Sequence, residues 1–181
     1  MRLQSPFAVV TPTLDGSVLG ALAGADAEFT VSQIHDLVGE HTHHGVRKVV
    51  YRLVGEGIVL ERSVGRNRNV YSLNRDHLCA AAILEIANTH ARFLQQLRSR
   101  FAALTVEPMY AALFGSAARG EMAISSDIDI LVVRPDGASD LWDEELAELT
   151  ADASTWTGND ARLLEFRNDE LDDPAVEVDQ R

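Results

Sequence analysis

A single cysteine, five prolines and no apolar run of membrane length are the first constraints on this 181-residue chain. With Cys79 alone, an intramolecular disulfide and a thiolate metal cage are both excluded, and its simplest expected place is that of a small buried residue. A membrane-spanning helix needs about 20 consecutive apolar residues, and the chain has no such stretch. The start, MRLQSPFAVV, lacks the basic opening and apolar core of a secretory signal. These absences lead to the expectation of a soluble cytoplasmic protein with no membrane partner.

What is abundant is acid, and it is unevenly spread. The formal net charge is −12, yet residues 1–74 hold seven basic and seven acidic side chains, whereas residues 109–181 hold five and eighteen. The stretch from His41 to Arg75 carries Arg47, Lys48, Arg52, Arg62, Arg66, Arg68 and Arg75 against only Glu56 and Glu61. Overall acidity therefore does not exclude a nucleic-acid partner for the first part of the chain.

The apolar spacing gives the organisation. Leu14, Val18, Leu19 and Leu22 recur at helical intervals, and a second helix starts at the capping residue Thr30 with Val31, Ile34, Leu37 and Val38 inward. A third, from about His43 to Glu56, turns Val46, Val49, Val50, Leu53 and Val54 inward and leaves His43, His44, Arg47, Lys48 and Tyr51 outward. IVLERS and VYSLN, joined by GRNRN, read as a β-hairpin. Between Asp76 and Leu104 there is neither Pro nor Gly, and Ile83, Ile86, Phe93, Leu97, Phe101 and Leu104 return to one side. One long helix is expected there, its stripe packed on the next domain or on a second copy of the chain. Beyond Pro108, strand and helix alternate: a strand over Met109–Phe114, a turn at GSAARGE, a strand at SDIDILVV, a helix over Ser139–Ser154 and a strand at ARLLEF. The acidic stretch from Asn168 to Arg181 is expected to fray after one helical turn. The expected class is α+β, divided into residues 1–75, a connecting and dimerising helix over 76–107, and a second domain over 108–181.

The chemistry concentrates in that last part. Side chains two apart on a strand share a face, so Asp127 and Asp129 stand together, opposite Ile128, Ile130 and Val132. Two adjacent carboxylates repel unless a hard divalent cation takes oxygen from both, and magnesium is the natural candidate. Twelve positions earlier Gly115 opens Gly-Ser-Ala-Ala-Arg-Gly. Such a turn can aim backbone N–H groups and the Ser116 hydroxyl at phosphate oxygens, with Arg119 pairing a phosphate or a nearby carboxylate. The HTHH cluster offers no separated second group of ligands, so His41, His43 and His44 are expected to be exposed rather than metal-binding.

Two resemblances follow from these residues. The three helices and hairpin over about Leu14–Asn74 resemble the winged helix-turn-helix domains of bacterial transcription regulators, which implies contact with double-stranded DNA through His43, His44, Arg47, Lys48, Tyr51, Arg66 and Arg68. The segment GSAARGEMAISSDIDILVV resembles the signature of the polymerase-β-like nucleotidyltransferases in their minimal bacterial form. That resemblance, over about Met109–Phe166, implies a small mixed sheet and transfer of a nucleoside monophosphate from a nucleoside triphosphate to a hydroxyl acceptor. It also implies two magnesium ions, with manganese able to substitute, held by Asp127, Asp129 and a third carboxylate on a later strand, while Gly115 and Ser116 hold phosphates. Glu165 is the expected third ligand and Asp160 its rival. A homodimer through the long helix and, as the alternative function, a DNA-binding regulator with an inactive nucleotide-sensing second domain complete the expectations.

Overall fold

A computed structural model describes residues 1–170 apart from Asn67 and Ser139. It is α+β, and contacts group the residues into two compact units: Ser5–Thr89 forms one, and Met1–Gln4 joins His90 onward in the other.

In the first unit, helix α1 (Phe7–Val10) precedes α2 (Leu14–Ala23), α3 (Val31–Val38) and α4 (His43–Gly55). The start of α3 is fixed by a capping box. Thr30 Oγ1 accepts from the Gln33 N–H at 3.3 Å, while the Gln33 side chain accepts from the Thr30 N–H at 2.8 Å. Thr42 caps α4 by accepting from the Gly45 N–H at 3.1 Å. Val18, Leu22, Ile34, Val46, Val50 and Leu53 close into one core. Leu37, expected inward, is instead 60% exposed, because the short α3 buries only Ile34 fully.

Strands β1 (Val59–Ser63) and β2 (Asn69–Leu73) pair antiparallel, and Phe29 forms an isolated bridge to Tyr71. The buried Tyr71 hydroxyl donates to Glu61 Oε1 at 2.9 Å. Burial first, and this carboxylate second, push the phenol well above its ordinary pKa and keep it protonated.

The expected helix over Asp76–Leu104 is two helices, α5 (Ala80–Ala87) and α6 (Thr89–Ala102). Its start is delayed because Asn74 Oδ1 accepts from the Asp76 N–H at 3.2 Å, holding a local turn. At the break, Asn88 has ψ near 7°, and the Thr89 hydroxyl donates to the Ile86 carbonyl at 2.7 Å, competing with the helical ladder. The apolar stripe divides there: Ile83 and Ile86 join the first core, and Phe93, Leu97, Phe101 and Leu104 the second. Cys79, expected buried, lies exposed in the turn before α5.

In the second unit, β3 (Tyr110–Phe114), helix α7 (Gly115–Arg119), β4 (Ile128–Arg134), helix α8 (Trp142–Thr157) and β5 (Ala161–Arg167) lead to a 3₁₀ turn at Asn168–Glu170. The sheet order is β3-β4-β5, with β4 antiparallel to β3 and parallel to β5. Ile128, Ile130 and Val132 of the central strand share a core with Trp142, Leu146, Leu149 and Ala153 of α8. Leu3 is buried in the same core, which is why the first four residues belong to this unit. The expected tail beyond Glu170 lies outside the described residues. Among the described residues no helix is long and apolar enough to cross a membrane.

Replacing Thr30 by Ala removes the hydroxyl half of the capping box and is expected to lower the stability of the first unit by about 1 kcal/mol, measured as a shift in the urea unfolding midpoint.

Candidate active site

With Ile128, Ile130 and Val132 committed to the face under α8, strand alternation puts Asp129 on the other face. Asp127 stands one residue before β4, and both carboxylates are half-buried. The backbone around Asp127 is clamped from two sides. The buried Asn159 donates through Nδ2 to the carbonyls of Ser126 at 2.7 Å and Ile124 at 3.2 Å, and the Ile128 N–H donates to the Asp160 carbonyl at 2.8 Å. Ser126 Oγ also accepts from the Ala123 N–H at 2.8 Å.

Register then brings three positions into line across the sheet: Phe114 opposite Asp129, and Asp129 opposite Arg162. Gly115 follows Phe114 directly and has φ +64°, a conformation that favours glycine. A Cβ there would overlap Asp129 Oδ2, so the carboxylate occupies the space that the missing side chain leaves. Ser116 is half-buried beside it, and Gly120, with φ +70°, closes the short helix by donating to the Ser116 carbonyl. Arg119 is taken up locally by Glu121, Nε to Oε2 at 2.9 Å, both side chains being largely exposed.

The third carboxylate requires a correction. Glu165 pairs in register with Val132, so it shares the α8 face and points away from Asp129. It is held there by the Trp142 indole, which donates to Oε1 at 3.1 Å, and by Arg134 Nη1 at 3.3 Å. Asp160, the rival, precedes β5 with an exposed carboxylate 3.4 Å from Arg162 Nε. That same Arg162 places Nη1 2.8 Å from Asp127 Oδ2. Sequence reasoning singles out neither Arg162 nor Asn159. For Arg162 the available signal is a basic residue near the start of a strand in an acidic domain; for Asn159 there is none, since its clamp joins residues more than thirty positions apart.

The donor chemistry fits a hard divalent cation. Magnesium binds through one or two carboxylates and completes its shell with phosphate oxygens and water, a demand that the oxygens of Asp127 and Asp129 match in kind. Among the described residues no group of three or more His, Cys, Asp or Glu side chains is placed to hold a metal ion by itself.

The second unit is thus a three-stranded mixed sheet with an α8 crossover and a glycine turn set against the Asp129 carboxylate. The family model described as "Nucleotidyltransferase domain" matches residues 91–181, half of the chain, and the chain belongs to that family. No curated protein and no solved structure gave a match.

Gly115→Ala forces a positive φ on alanine at a cost of about 1–2 kcal/mol and drives the Asp129 carboxylate aside. The variant is expected to fold with a lowered unfolding midpoint and to lose cation-dependent nucleotide binding, read by equilibrium dialysis with labelled nucleoside triphosphates.

Proposed function

We infer that the chain transfers a nucleoside monophosphate from a nucleoside triphosphate to a hydroxyl acceptor on a small molecule, protein or RNA. The observation that carries this reading is the Asp129 carboxylate lodged against Gly115, which supports taking Asp129 as a cation ligand beside a phosphate-binding turn. The Ser116 hydroxyl and the N–H groups of the turn take the triphosphate, and Asp127 with Asp129 hold magnesium or manganese. When bound, the cation neutralises phosphate charge and lowers the pKa of the acceptor hydroxyl. The acceptor oxygen forms a bond to the α-phosphorus, the bond to pyrophosphate breaks, and the hydroxyl proton passes to Asp129 or to water. A two-ion arrangement needs a further oxygen donor, for which Asp160 is better placed than Glu165.

A second reading is favoured by the orientation of Glu165: the domain binds nucleotide without transferring it and serves as a sensor for a DNA-binding regulator. Incubation with α-labelled nucleoside triphosphates, magnesium and cell extract separates the two. Label moving to an acceptor with the wild type, and falling at least about 100-fold in Asp129→Asn, supports transfer; Glu165→Gln is expected to retain it. Cation-dependent nucleotide binding with no label moved supports the sensor.

We further infer that residues 14–74 form a winged helix-turn-helix that binds double-stranded DNA through α4 and the hairpin tip. The division among its basic side chains supports this. Arg52, Arg62 and Arg75 are ion-paired to Asp15, Glu28 and Asp26, whereas Arg47, Lys48, Arg66 and Arg68 make no ion pair among the described residues. On α4, His43 and His44 are exposed, and the Tyr51 hydroxyl accepts from Arg47 Nε at 3.1 Å, steadying that guanidinium. A homodimer through residues 76–104 is left out of this proposal, because the apolar stripe that motivated it is covered by the chain's own two cores. Removing the four unpaired charges together is expected to reduce the slope of log affinity against log salt for duplex DNA by about 3 to 4; an unchanged slope in fluorescence anisotropy would refute DNA contact by these residues.

A further inference from the structure

One of the two proposed cation ligands, Asp127, is already paired, and its partner is Arg162. Its Nη1 lies 2.8 Å from Asp127 Oδ2, its Nε 3.4 Å from Asp160 Oδ2, and its backbone is in register with Asp129. The Arg162 side chain is 64% exposed, against 29% for that of Asp127, so it can leave without opening the core. Neighbouring strands lie about 4.8 Å apart, which sets Arg162 one strand from Asp129 on the side away from the Gly115 turn.

We propose that Arg162 is an exchangeable counter-ion: it neutralises Asp127 when no divalent cation is bound, and moves to the phosphates of the nucleotide when one is. This rests on the reading of Asp127 and Asp129 as cation ligands. Two like charges cannot share Asp127 at close range without repulsion, so an arriving cation displaces the guanidinium. Once released, it is one strand from the ion and meets an incoming polyphosphate, for which its planar fork forms short charge-assisted hydrogen bonds. The exchange makes the empty site a poor trap for free cations and a good one for a cation that arrives with its nucleotide. Arg162 is thus a positioning residue that couples the two ligands.

The test is a pair of titrations on the full-length chain and its Arg162→Gln and Arg162→Lys variants. Free manganese, followed by electron paramagnetic resonance, is expected to bind Arg162→Gln about two- to five-fold more tightly than wild type, the gain set by loss of one exposed ion pair. The α,β-methylene analogues of the four ribonucleoside triphosphates, with saturating manganese, are expected to bind Arg162→Gln about tenfold more weakly. Arg162→Lys, which keeps the charge, is expected to stay near wild type for free manganese. Opposite movements of the two affinities cannot arise from general loss of structure, and tighter manganese binding itself reports a folded site. If Arg162→Gln changes neither affinity, or moves both the same way, the exchange is refuted. If neither wild type nor Arg162→Gln binds manganese, while Asp129→Asn behaves identically, the cation-site reading falls and takes the exchange with it.

Discussion

Strand alternation on β4 is the constraint on which the second unit depends. Because successive side chains point to opposite faces, burying Ile128, Ile130 and Val132 under α8 forces Asp129 into the opposite space with no separate device to orient it. Packing and chemistry are thereby two sides of one strand. The same rule explains the glycine: Asp129 is opposite Phe114, so the residue that turns out of β3 must pass the carboxylate at close quarters, and only one without a side chain leaves room. The hydrophobic term that fixes α8 on the sheet, worth about 1.5–3 kcal/mol for each fully buried large side chain, is therefore also what holds the carboxylate outward.

Much of this is legible in the amino-acid order, and the parts that are not have a common cause. Within one strand, parity is fixed by a period of two, which separates Asp129 from Ile128 and Ile130 and keeps Leu163 with Glu165. Parity does not say which face of one strand matches which face of its neighbour. That depends on register, which is settled by turns, helix length and core packing rather than by either strand alone. Val132 rather than Asp129 faces Glu165, and the charge lands beside Trp142 on the helix side. Arg162 is the complementary case: a basic residue near a strand start is visible in the sequence, but its place beside Asp129 comes from register and is not, for the same reason.

The helices show the second limit. α2 and the Thr30 capping box follow directly from spacing and cap chemistry. The break between α5 and α6 does not, because apolar residues continue across it at helical intervals. What interrupts the ladder is polar and local: Asn74 holding a turn before α5, and the Thr89 hydroxyl competing for the Ile86 carbonyl. A continuous stripe is therefore a sound sign of helix and a poor sign of a single helix, and its two halves are consumed by two different cores.

Charge distribution restricts what the second unit can bind. Residues 109–181 carry eighteen acidic side chains against five basic ones, a field that opposes any bare polyphosphate. Of those five, Arg134 is engaged by Asp143 and Glu165 on the α8 side, and Arg119 by Glu121. Arg162 alone among these three has its guanidinium on the face that carries Asp127. On the proposed reading, an anionic nucleotide approaching that face brings positive charge with it or finds it in Arg162. A divalent cation bound to the phosphates supplies the first, and releasing Arg162 from Asp127 supplies the second. On the proposed reading the acidic face is selective: it admits the cation complex in preference to the free triphosphate, because only the complex both brings positive charge to the carboxylates and releases Arg162 from Asp127.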